Sequence, residues 1–143
     1  QYYSQHQITS ITTTLLPMAS FKEMIAYRKG FEMSQLVYKL SKKFPKEETY
    51  SLTDQIRRSS RSVTANFGEG YRKRRYPAHF VSKMTDCDAE NAETQVWLDH
   101  ALACEYVTKA DIAPILSLTE EVGKLLGHMI DHPEKYCIYP KKP

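Results

Sequence analysis

Residues 52–70 read LTDQIRRSSRSVTANFGEG, and the period of this stretch decides the fold. Leu52, Ile56, Val63 and Phe67 recur at steps of four, seven and four, the spacing of one face of an α-helix. Ser59, Ser60, Ser62 and Ala65 keep the surface small, so that a second helix can approach closely, although Ser and Thr lower intrinsic helix stability. Ser51 or Thr53 is placed to cap the helix, with Asp54 three residues after Ser51 in the manner of a capping box. Gly68 and Gly70 predict an end or a fray between residues 68 and 74.

The same period extends outward. Upstream, Met33, Val37, Leu40 and Phe44, with Leu36 beside them, predict a helix from Phe21 or Met24 to about Lys43, mildly weakened by Gly30. Phe44-Pro45 ends it, because the residue before proline avoids helical geometry. Downstream, Pro77 fits the first turn of a third helix. Its stripe is Phe80, Met84, Cys87, Asn91, Thr94, Leu98, Ala101 and Leu102, polar in the middle and reaching about Glu105. Thr108 and Asp111 form a capping box for a fourth helix, whose apolar face runs from Ile112 to Ile130 and which His132-Pro133 stops. Pro114 is expected to bend its first turns. No Asn-Gly or Asp-Gly hairpin turn and no long alternating run speak for strands. The expected fold is all-α, an antiparallel up-down four-helix bundle over residues 21–136. Residues 1–20 read as a flexible N-terminal extension, in which Ile8–Leu16 is a candidate extended segment, and 137–143 as a C-terminal tail.

Composition narrows the class. With 143 residues, 41% hydrophobic and 26% charged, the chain can build one core and is not a disordered sequence. Three cysteines at wide spacing, Cys87, Cys104 and Cys137, argue against a disulfide framework and fit a reducing cytoplasm, with Cys87 and Cys104 as small core residues. No apolar run has transmembrane length, and the N-terminus lacks the pattern of a signal peptide, so no membrane role is expected.

Chemistry concentrates in one region. Arg57, Arg58, Arg61, Arg72, Lys73, Arg74 and Arg75 are seven basic residues against one acid, Glu69, with Tyr71 and Tyr76 flanking the last four. Such density suits phosphate neutralisation, and the tyrosines suit stacking on bases. The bland alternative is a solvated face, or pairing with Asp86, Asp88, Glu90 and Glu93 of the third helix. Asn66 and Glu69 stand among apolar residues. They read as a structural polar network with Gln55, and with Asn91 or Gln95, not as catalysts. The glycines follow a helix instead of preceding one, which is the wrong direction for a phosphate loop. Arg74 and His79 match the Arg-x4-His spacing of some HEPN-type ribonucleases, a short pattern that arises often by chance. His128 and His132 lie one turn apart without a third ligand nearby in sequence, so no metal is expected; no cofactor and no catalytic residue is assigned.

The run from Leu52 to Gly70 resembles the signature of a bacterial four-helix-bundle family, founded on proteins encoded by intervening sequences in 23S ribosomal RNA genes and sometimes labelled S23-like. Leu52, Thr53, Gln55, Ile56, Arg57, Arg58, Ser59, Ser62, Asn66, Glu69 and Gly70 match that pattern, with Val63 and Phe67 where Ile is usual and Gly68 as a departure. Glu93-Thr94-Gln95 and the Phe44-Pro45 ending are similar too. The resemblance spans about residues 21–132 and gives nothing to the extension. It implies a homopentamer. It also includes the accessory protein of diversity-generating retroelements, a basic pentameric barrel that binds nucleic acid and a reverse transcriptase. Residues 120–127, EEVGKLLG, are similar to that subgroup. The expected function is therefore a non-catalytic, cytoplasmic, ring-forming bundle that binds RNA or DNA, with a reverse transcriptase as partner if it belongs to a retroelement. The alternatives are an interaction scaffold without nucleic acid, and a HEPN-like ribonuclease.

Overall fold

The computed structural model describes residues 20–140, and these form four α-helices with short 3-10 turns and no strand. The extension expected over residues 1–20 lies, but for Ser20, outside the described residues, as does the Ile8–Leu16 segment. Helix α1 spans Ile25–Ser41, α2 Leu52–Arg72, α3 Pro77–Ala103 and α4 Lys109–Asp131. Each packs against its two neighbours in the order α1, α2, α3, α4 and back to α1. This is a four-helix bundle, and its short links alternate the helix directions.

The core is the stripe read from the sequence. Met33, Val37, Ile56, Phe67, Phe80, Met84, Leu98, Val122 and Leu126 are all buried between the helices. Across the middle of the bundle the stripe turns polar and is hydrogen-bonded except at Asn91 Oδ1, which is buried without a partner among the described residues. Ser59 Oγ and Thr94 Oγ1 are 2.9 Å apart, and Thr94 Oγ1 donates to the Glu90 carbonyl. Asn91 Nδ2 donates to the Thr119 carbonyl at 2.8 Å, and Gln95 Nε2 to Thr119 Oγ1 at 2.9 Å. Buried hydroxyls and amides that find partners cost little and hold helices in one register.

The glycines of α2 are contact points. The helix continues unbroken through Gly68 and Gly70 and ends at Arg72, within the expected window of 68–74. A Cβ at Gly70 would fall 2.5 Å from Met84 Cε and 2.8 Å from Lys83 Cβ. Here α3 approaches α2 more closely than any side chain allows. Gly70→Ala is expected to destabilise the protein by about 1–2 kcal/mol, since overpacking outweighs the better helix propensity of Ala. Thermal unfolding checks it. At Gly68 a Cβ would press the Phe21 ring at 3.3 Å. The departure from the family pattern thus seats the aromatic residue that leads into α1.

The ends of the helices follow local chemistry. The capping box at α4 forms as expected, with Thr108 N donating to Asp111 Oδ2 at 2.9 Å and Asp111 N to Thr108 Oγ1 at 3.1 Å. Pro114 lies within α4. Ser51 does not cap α2; its own hydroxyl donates to Glu48 Oε1, which also accepts from Leu52 N at 3.3 Å. The Tyr106 hydroxyl donates to the other oxygen of Glu48 at 2.8 Å. α3 stops where Glu105 takes a left-handed φ of 61° and Tyr106 N reaches back to the Ala101 carbonyl, a Schellman ending without its usual glycine.

Glu48 gives a pH dependence. Hydrogen bonds from Ser51, Tyr106 and Leu52 N hold its carboxyl below the ordinary 4.5. A group depressed in the folded state stabilises above its unfolded value and loses that contribution as pH falls through the folded value. Acid unfolding of Glu48→Gln is therefore expected to lose part of the wild-type slope below about pH 4.5. The same hydrogen bond pushes Tyr106 up to about 12, so its contribution is complete below 10.0 and fades as pH climbs toward 12.

The cysteines are free. Cys87 is buried, and desolvation pushes its thiol up to about 12. Cys104, expected in the core, is exposed because α3 ends one residue before it. Cys137 packs back on the bundle, and Ile138 N donates to the Arg74 carbonyl at 2.9 Å. No described helix is long and apolar enough to cross a membrane.

Candidate nucleic-acid interface

Helical geometry divides the seven cations into groups with different surroundings. Arg57 and Arg61, one turn apart on α2, both reach Tyr38 of α1. Arg57 is half-buried, and its Nε donates to the Oγ of buried Ser41 at 2.7 Å. Arg61 is exposed. Arg58 is also exposed, and its charge favours the ionised form of Glu90 on α3. Burial and then the neighbouring Glu93 raise the Glu90 carboxyl above its ordinary value in spite of this.

The run after α2 splits in two. Arg72, Lys73 and Arg75 are exposed, and Tyr76 beside them is 62% exposed. None of the three is in an ion pair with a described residue. Arg74, in the middle, is 8% exposed and belongs to the core. Its Nε donates to the Tyr71 carbonyl at 2.8 Å, and its guanidinium lies 3.6 Å from the centre of the Tyr71 ring. Burial depresses the Arg74 pKa, and it raises that of Tyr71. The assignment of Arg74 to a nucleic-acid surface is therefore corrected: the turn folds it inward while its neighbours point out.

The polar trio is also placed differently. Glu69 is exposed and Asn66 half-buried at the α2–α3 surface. Lys83 of α3 joins them, 3.3 Å from Asn66 Oδ1 and 3.5 Å from Glu69 Oε2. Asn66 Nδ2 donates to the Ser62 carbonyl at 2.9 Å. Gln55 lies three turns away on α2 and takes no part. The interior network instead uses Ser59, Asn91, Thr94, Gln95 and Thr119. Of these, Asn91 and Thr94 were legible as polar residues in an apolar stripe and Gln95 as a candidate network partner, whereas Thr119 gave no signal.

Beside Arg72 lies an open groove of about 460 Å³ between α1 and α2, lined by Phe21, Tyr27, Thr64, Ala65, Gly68 and Glu69. Phe21 and Tyr27 meet edge-on at 5.2 Å, and Tyr27 stacks on exposed Phe31. Aromatic surface thus adjoins unpaired cations. His79 is exposed with its ring 5.9 Å from Tyr76, so the Arg74 and His79 of the ribonuclease spacing have separate surroundings. His128 Nδ1 meets the Tyr136 hydroxyl at 2.5 Å and His132 Nδ1 meets Glu134 at 3.3 Å. Among the described residues no group of three or more His, Cys, Asp or Glu is arranged to hold a metal.

The family described as 23S rRNA-intervening sequence protein matches residues 22–128. A crystal structure of a protein of unknown function from the S23 ribosomal protein family of Bacteroides thetaiotaomicron is similar over 74% of this chain and 98% of its own, at 28% identity and a TM-score of 0.67. No curated protein matches the chain.

Proposed function

The chain belongs to the 23S rRNA-intervening sequence protein family, and from that premise we propose that it is a non-catalytic bundle that binds RNA or DNA through exposed cations at one end. One observation carries the reading. Arg72, Lys73 and Arg75 stand together, exposed, without a described carboxylate to neutralise them. Like charges crowded on a turn repel, and a polyanion relieves that repulsion while releasing its counterions. Tyr76 and the Phe21–Tyr27 groove add faces on which unpaired bases stack. Assembly into a homopentamer, as the family resemblance implies, would repeat the patch around a ring and multiply its field. A reverse transcriptase would be a further partner in a retroelement.

Fluorescence anisotropy with labelled single-stranded RNA and DNA tests the binding. Saturable binding at about 50 mM salt is expected, and its absence overturns the reading. Mass measurement in solution tests the ring.

An interaction scaffold is the second reading, favoured by the Lys83–Glu69 pair at 3.5 Å, in which a cation and an acid already meet across two helices. Under it, charge reversal of the turn would break an assembly and leave nucleic-acid binding unchanged. The ribonuclease reading is weakened by the burial of Arg74 against Tyr71. His79→Ala is expected to leave any nuclease activity of a clean preparation unchanged.

A further inference from the structure

We propose that the α1–α2 surface at Tyr38 is a phosphate-binding site formed by Lys42, Arg57 and Arg61. The three cations converge on one ring. Lys42 Nζ lies 4.8 Å, Arg57 Cζ 4.7 Å and Arg61 Cζ 5.7 Å from the Tyr38 centroid. The ring quadrupole attracts each of them, but it does not cancel three positive charges held side by side. No described carboxylate is in an ion pair with any of the three. Asp54 stands one turn before Arg57 and does not reach it, and Glu48 is occupied by Ser51, Leu52 and Tyr106.

The site is partly built in advance. Ser41 is buried, donates to the Tyr38 carbonyl at 2.8 Å and accepts from Arg57 Nε at 2.7 Å. One guanidinium is thus fixed to α1 by the Ser41 hydroxyl before any ligand arrives. No described residue accepts from its terminal amino groups. The side-chain donors of the neighbouring Arg61 and Lys42 have no hydrogen-bond partner among the described residues either. A fixed guanidinium fork matches two oxygens of a phosphate, and the remaining cations can reach a third. A carboxylate presents only two oxygens and would leave one cation unanswered.

The shared chemistry is a phosphate group, carried by free phosphate or by a nucleic-acid backbone. The inference stands apart from the nucleic-acid reading, since free phosphate satisfies it.

The test is a titration of the full chain with inorganic phosphate at constant ionic strength, followed through the arginine Nε–Hε resonances. Saturable shifts at Arg57 and Arg61, with Arg72 and Arg75 moving little, are expected. The variant Lys42→Gln/Arg61→Gln, which changes only exposed side chains, should weaken the binding about tenfold or more, since each charged hydrogen-bonding contact is worth that much. Linear shifts shared equally by all arginines, or unaltered binding in the variant, overturn the site. A poly-glutamate peptide that saturates Arg57 and Arg61 more tightly than phosphate also overturns it. A short single-stranded RNA then separates the sources. Competition with phosphate assigns the site to a nucleic-acid backbone, and saturation by phosphate without competition assigns it to the free anion. Running the RNA arm on Arg72→Glu/Lys73→Glu/Arg75→Glu keeps failure of the turn distinct from failure at Tyr38.

Discussion

Replacing Arg72, Lys73 and Arg75 together by glutamate is expected to weaken RNA binding by about a hundredfold or more near 50 mM salt, because each cation removed forfeits a phosphate contact and its counterion release. The fold should survive. All three side chains are exposed, none is in an ion pair with a described residue, and only Arg72 lies within α2, at its last turn. Circular dichroism should match the wild type, and the thermal midpoint should move by no more than a few degrees. Anisotropy and melting on the same preparation separate the effects. Loss of binding together with loss of folding would mean that the turn is structural and that its charges were not the ligand contacts.

Arg74, between these residues, is expected to behave in the opposite way. Arg74→Ala removes a stack on Tyr71 and a charged hydrogen bond to its carbonyl, both under cover of the bundle. Together these contributions come to about 3 kcal/mol. That corresponds to a fall of roughly 10 °C in the thermal midpoint of a domain this size. RNA affinity measured well below the new midpoint should change little. Four consecutive basic residues thus contain three candidate ligand contacts and one structural one, which a scan of four single variants would display.

Why the sequence conveys the bundle but not this division is a matter of range. Helix period is local: Leu52, Ile56, Val63 and Phe67 announce a buried face whatever packs on it. The Thr108–Asp111 box and Pro77 announce helix starts through groups only a few residues apart. The inward fold of Arg74 depends on Tyr71, on the turn before Pro77 and on Cys137 and Ile138 arriving from the other end of the chain. Charge density along the sequence records none of these. Asn66 and Glu69 misled for a related reason. They flank Phe67 in sequence yet sit on the edge of the buried face, where Lys83 meets them from α3. The cap at α2 was missed because a carboxylate before the helix, Glu48, reached its first amide ahead of Ser51. Gly70 looked like a helix breaker because glycine usually is one; its neighbours Lys83 and Met84, thirteen and fourteen residues on, give it a packing role instead.

The convergence of Arg57 and Arg61 on Tyr38 was half legible. Their spacing places them on one face of α2, but Tyr38 and Lys42 enter from α1 only once the two helices pack.

The most direct measurement is the salt dependence of single-stranded RNA binding by the wild-type protein, read by anisotropy from about 50 to 200 mM salt. The account predicts saturable binding whose logarithm falls linearly with that of the salt concentration, with a slope of about two or more for three phosphate contacts on a single strand. Absence of binding at the lowest salt, or affinity indifferent to salt, would contradict it.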